Sequence, residues 1–100
     1  MKFQFKNKKL EALYTEEKNA HKYPNDVVDR FFEVITLIDG IPNEQDLYNF
    51  KGLRFEKLKG ERGKKGQYSI RLNKQWRLIL MIKKNSDGNF ILVVDIEDYH

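Results

Sequence analysis

One hundred residues make one domain, residues 1–100, with room for a single modest core, and 40% hydrophobic and 13% aromatic content can fill it, which excludes a disordered polymer. Lysine and arginine number 19 against 15 aspartates and glutamates, a net charge of +4, so nucleic acid or an acidic protein is the expected class of partner. Cysteine is absent, which excludes disulfides, thiol catalysis and cysteine-based zinc sites, and no apolar run resembles a signal peptide or a membrane span. A cytoplasmic protein with no membrane partner is the expectation.

Residues Lys2 to Lys6 alternate lysine with Phe3 and Phe5, the period of a short strand, and the flanking lysines suit a sheet edge. Asn7 can cap a weakly amphipathic helix from Lys8, with Leu10, Leu13 and Tyr14 on its apolar side. Pro24 suits the first turn of a second helix. Val27, Val28, Phe31, Phe32, Val34, Ile35, Leu37 and Ile38 give that helix a broad apolar surface, and Gly40 and Pro42 stop it. It is expected to be the main cover on one face of a sheet. A short third helix is expected over residues 43–50, capped by Asn43, with Leu47, Tyr48 and Phe50 facing in and Gly52 ending it. From Leu53 the pattern is strand-like to the end. The order of strand, two or three helices and four strands predicts an α+β domain, its helices over a curved, mostly antiparallel sheet.

The stretch from Lys57 to Arg77 concentrates positive charge. Gly60, Gly63 and Gly66 break it into a flexible lysine-rich loop, and no Gly-Lys-Ser/Thr follows into a helix, so it is not a Walker loop. Beyond it Tyr68, Ile70 and Leu72 alternate with Gln67, Ser69 and Arg71, and Trp76, Leu78, Leu80 and Ile82 alternate with Arg77, Ile79 and Met81. A three-residue turn, Asn73-Lys74-Gln75, gathers the apolar set on one face and sets Arg71 opposite Arg77 on the other. A two-residue turn would split the apolar set. Two facing arginines destabilise a sheet by about 0.2–1 kcal/mol unless an anion lies between them. That anion is either a phosphate, which guanidinium binds bidentately, or a carboxylate on the neighbouring strand, Asp95 or Glu97. The last strand, Phe90 to Ile96, is apolar on both faces and is expected inside the sheet. Trp76 reads as core or rim and His21 as an exposed loop residue. The two histidines, His21 and His100, lie too far apart in sequence to suggest a metal site, and no cofactor is expected.

Four blocks together carry a resemblance: Lys57-Leu58-Lys59-Gly60-Glu61-Arg62, Gly66-Gln67-Tyr68-Ser69-Ile70-Arg71-Leu72, Gln75-Trp76-Arg77-Leu78 and the terminal Glu97-Asp98-Tyr99-His100. Over its whole length the chain is similar to the HigB toxins of the RelE/ParE superfamily of type II toxin–antitoxin systems. The resemblance implies N-terminal helices packed on one face of a curved sheet of four to five strands. It implies a ribosome-dependent endoribonuclease that cleaves mRNA in the decoding site of the small subunit, without metal, by attack of the 2′-hydroxyl. It also implies neutralisation by a HigA-like helix-turn-helix antitoxin, through which alone operator DNA is reached. Carried onto this chain, Lys59, Arg71 and Arg77 match the basic site positions, and Asp98, Tyr99 and His100 match the terminal catalytic group. Many members have a histidine where this chain has Glu56, so proton abstraction falls to Glu56 or to His100 alone, or activity is weakened. The remaining cations of the stretch, Lys57, Arg62, Lys64, Lys65 and Lys74, are expected to hold RNA.

The chemistry is self-consistent. Internal attack needs a base for the 2′-hydroxyl, cations for the pentavalent phosphate and an acid for the leaving 5′-oxygen. Lys59, Arg71 and Arg77 can supply charge, and His100 titrates near neutral pH. Tyr99 can donate a hydrogen bond or stack on a base, and Asp98 can orient His100 or an arginine. Strand alternation sets Tyr99 on the opposite face from Asp98 and His100, so all three line one site only if the strand twists or breaks near Glu97. Two other classes stay open: a catalytically weak or inert binding module on the same fold, for which Glu56 is the warning, and a ParE-like gyrase inhibitor. The ParE branch does not carry this basic pair with a terminal Asp-Tyr-His.

Overall fold

The computed structural model describes residues 1–99. Strand β1 (Phe3–Phe5) leads into helix α1 (Lys8–Glu16), a 3-10 turn over Ala20–Lys22 and the long helix α2 (Asn25–Gly40). Helix α3 (Asp46–Asn49) and a second 3-10 turn (Lys51–Leu53) precede β2 (Glu56–Lys57), helix α4 (Gly60–Lys64) and three strands, β3 (Gln67–Arg71), β4 (Trp76–Asn85) and β5 (Gly88–Asp98). The sheet order is β1-β5-β4-β3-β2. β1 runs parallel to β5 and every other pair is antiparallel. This is the expected α+β architecture, with the lysine-flanked first strand at an edge and the apolar last strand inside.

Local chemistry accounts for the elements. Asn7, in extended conformation, accepts a hydrogen bond from the Leu10 N–H and so satisfies one orphan donor at the start of α1. Pro24 stands one residue ahead of α2, as its N-cap, where its missing N–H is no loss. Val27, Val28, Phe31, Val34, Ile35 and Ile38 recur at helical spacing and are buried, which fixes the face that α2 turns to the sheet. Each such side chain contributes about 1.5–3 kcal/mol by leaving water. Of these, Val27, Phe31, Val34, Ile35 and Ile38 join Leu10 and Leu13 of α1 and Ile70, Leu78, Leu80, Ile91, Val93 and Ile96 of the sheet in one core.

A bulge in β5 governs what faces where. The register steps from Ile79↔Asp95 to Leu80↔Val93, leaving Val94 as the extra residue. Val93 and Ile96, three residues apart, thereby both reach the core, and Asp95 and Glu97 turn to the other face. The Val94 carbonyl accepts from the Asn7 side chain (3.0 Å), which ties the start of α1 to the bulge. Asp95 binds Lys9 (3.2 Å), and this hydrogen bond holds the Lys9 amine above its ordinary value.

Three expectations are corrected. The chain after Leu53 is not all strand, because residues 60–64 form a helical turn. Gly63 there is buried, and an added Cβ would lie 1.9 Å from the Leu58 carbonyl oxygen, so the glycine permits a backbone contact rather than slack. The third helix is only four residues long. Asn43 accepts from the Gln45 N–H instead of capping the helix, and Tyr48 and Phe50 are 50% and 43% exposed instead of facing in. Among the described residues no helix is long and apolar enough to cross a membrane.

Candidate active site

The central hairpin has the three-residue turn that apolar alternation requires. Ile70 pairs with Leu78 and Arg71 with Arg77. Asn73 does the work of the missing glycine: its side-chain oxygen accepts from the backbone N–H groups of Gln75 and Trp76, both at 2.8 Å, and its amide reaches Asp26. Trp76 is a rim residue, half-buried and edge-on to Tyr23. Since Ile70 and Leu78 point into the helix-covered core, Arg71 and Arg77 stand together on the opposite face.

Neither Asp95 nor Glu97 serves this pair. Asp95 is taken by Lys9, and Glu97, directly across from Arg77, is held bidentately by Arg62 at 2.8 and 2.7 Å. Arg62 also donates to Gln67, which places α4 over the arginine face. The Glu97 hydrogen bond lifts the Arg62 guanidinium further above its ordinary value. Among the described residues neither Arg71 nor Arg77 has an acidic partner. Arg71 donates to the Asn73 carbonyl, at 3.3 Å. The Nη1 of Arg77 is buried with no hydrogen-bond partner among the described residues, and Tyr99 lies over that guanidinium with its ring centroid 5.1 Å from Cζ.

Tyr99 reaches this face because the bulge sets the alternation of β5. Its N–H closes on the Gln75 carbonyl and the residue is 47% exposed. Beside it is a depression of about 310 Å³ lined by Glu56, Lys57, Leu58, Lys59, Arg62 and Tyr99. Glu56 pairs with Ser69 and so sits on the arginine face of the sheet. Five of the residues singled out from the sequence therefore share one cleft, next to the arginine pair. Asp98 pairs across from Trp76 and accepts from the Gln75 side chain, on the other face from Tyr99. Lys64, Lys65 and Lys74 are exposed, Lys64 beside Glu61 at 3.5 Å, and none of them lines the cleft. His100 lies outside the described residues. No cluster of three or more His, Cys, Asp or Glu suited to a metal occurs among the described residues.

Comparison with known proteins decides the family. Residues 3–100 match the model of the RelE-like toxin of the type II toxin–antitoxin system HigB. The chain belongs to this HigB-like toxin family. Toxin HigB-1 of Vibrio cholerae is 39% identical over 79 residues, which are 79% of this chain and 81% of that protein. The solved structure of a YoeB/ParE toxin from Agrobacterium tumefaciens superposes over the full length of both chains with a TM-score of 0.58 at 13% identity, a likeness of fold.

A type II toxin implies an antitoxin partner. In this HigB-like toxin, sequence reasoning missed the role of Arg62, which is engaged with Glu97 and Gln67 while it lines the cleft. The available signal was Glu97 itself: strand alternation puts it beside Arg77, and any third cation within reach would compete for it.

Proposed function

We propose that this toxin is a ribosome-dependent endoribonuclease that cleaves mRNA in the decoding site by internal attack. One observation carries the reading. Two arginines stand side by side on the sheet face away from the core, and the two carboxylates that would neutralise them are bound elsewhere. Such a pair suits a phosphodiester, whose negative charge grows as the pentavalent species forms.

In the proposed reaction the 2′-oxygen of the message bonds to the adjacent phosphorus and the bond from phosphorus to the 5′-oxygen breaks. Glu56, in the cleft with Lys59 and Tyr99, takes the 2′-proton, and His100 returns a proton to the leaving 5′-oxygen. Arg71, Arg77 and Lys59 hold the phosphate oxygens. Tyr99 covers the Arg77 guanidinium and offers its exposed ring to a base, and displacing the ring frees the Nη1 donor. Asp98 acts from the hairpin end as a positioning residue. Lys57, Lys64, Lys65 and Lys74 add charge along the RNA, and Arg62 holds the wall of the cleft. The products are a 2′,3′-cyclic phosphate and a 5′-hydroxyl, and no step calls for a metal. A HigA-like helix-turn-helix antitoxin neutralises the toxin and carries it to operator DNA.

The test is to map mRNA ends by primer extension in a reconstituted translation mixture. Cuts with 5′-hydroxyl ends are expected only while ribosomes translate. They should fall about 10²–10⁴-fold in Glu56→Gln or on deletion of His100, the contribution typical of a general acid or base. No cutting by the parent chain would favour an inert binding module. DNA breaks with intact message would favour a gyrase-directed toxin.

A further inference from the structure

Tyr48 and Phe50 are, with Tyr99, the large hydrophobic side chains that stand exposed among the described residues. They line a depression of about 260 Å³ with Lys51, Arg54, Phe55 and Glu56. Glu56 also lines the cleft beside Tyr99, so the two depressions adjoin across β2. We infer that the shelf of Tyr48, Phe50, Lys51 and Arg54 is a second RNA site, which holds single-stranded message flanking the cut; this rests on the nuclease reading.

Three features favour RNA over a protein surface. First, the Tyr48 ring is held in place. It packs edge-on against Phe55, with centroids 4.7 Å apart, and Phe55 stacks on Tyr68 at 5.0 Å and 9°. A half-exposed ring so fixed is a preformed platform for a base, and every base has a face to stack. Second, Lys51 and Arg54 have no acidic partner among the described residues, so both charges are available to phosphates. Third, Arg54 adopts left-handed backbone, φ 49° and ψ 47°, where glycine or asparagine is favoured. An arginine kept in that conformation is explained by its side chain rather than by its turn.

The test is fluorescence anisotropy with labelled 2′-O-methyl oligouridine, which cannot be cleaved, at lengths of about four and about ten nucleotides, a range typical of single-strand sites. The parent should bind the longer probe more tightly. Tyr48→Ala with Phe50→Ala should weaken the longer probe about tenfold or more and leave the shorter one within about twofold, because stacking is lost only where the strand reaches the shelf. Arg54→Gly should also weaken the longer probe while its melting temperature holds or rises, a divergence that a merely structural arginine would not give. The inference is overturned by equal affinity of the parent for both lengths. It is also overturned by unchanged binding in the double variant, or by a double variant that keeps RNA but no longer binds the antitoxin encoded with it. Arg77→Ala separates the two readings: it should weaken both probes, and if it weakens neither while the shelf variants still act, the cleavage site is wrong and the shelf stands.

Discussion

Arg77→Ala is expected to lower mRNA cleavage about 10²–10³-fold, the cost of removing one preorganised donor to a developing anion. The fold should survive it. In the free protein Arg77 faces Arg71 across the hairpin, its Nη1 is buried without a hydrogen-bond partner among the described residues, and the Tyr99 ring lies over it. Removing it relieves a like-charge pair of about 0.2–1 kcal/mol and an unsatisfied donor of about 1–3 kcal/mol. Against that stands a cation–π contact of about 0.5–1 kcal/mol at a half-exposed ring. The melting temperature should therefore hold or rise while activity collapses. Arg77→Lys keeps the charge but not the planar fork and should recover part of the rate. A variant that loses activity only in proportion to its loss of folded protein would make Arg77 a structural residue.

Phe31→Ala should have the largest effect on stability. The ring is fully buried between α1, β1 and the sheet, near Tyr14, Phe5 and Phe32 at centroid distances of 6.5, 6.4 and 5.6 Å. Such truncations cost about 3–5 kcal/mol in lost transfer energy and in the cavity left behind. A domain of this size has about 5–15 kcal/mol in all. The urea midpoint should fall by more than about 1 M, and at the low end of that range the variant will not accumulate as folded protein. Activity per folded molecule should be unchanged, since no atom of the cleft is touched. A cost below about 1 kcal/mol would mean that α2 is not the main cover of the sheet.

What could be read from the residues was whatever a hydrophobic period determines. The spacing of Val27 through Ile38 admits one buried face, and the alternation from Tyr68 to Ile82 admits one register, so α2 and the Arg71–Arg77 pairing were legible. Helix α4 was not. Two of its five residues are glycine, which local propensity reads as loop, and it forms because Gly63 fits against the Leu58 carbonyl and Arg62 anchors to Glu97. The bulge at Val94 was hidden because an apolar run has no visible period to break, yet it decides that Tyr99 joins Arg77 while Asp98 does not. Tyr48 and Phe50 were misplaced because aromatic residues at helical spacing look like core. A four-residue helix has too little length to bury them.

The most direct measurement follows the side-chain ¹⁵N signals of Arg71 and Arg77 during titration with RNA carrying a 2′-O-methyl group at the attacking sugar. If both guanidinium groups grip one phosphate, the two signals move along a single saturation curve. Saturation of RNA binding with both signals unmoved, or with the two following different midpoints, would contradict a shared phosphate site.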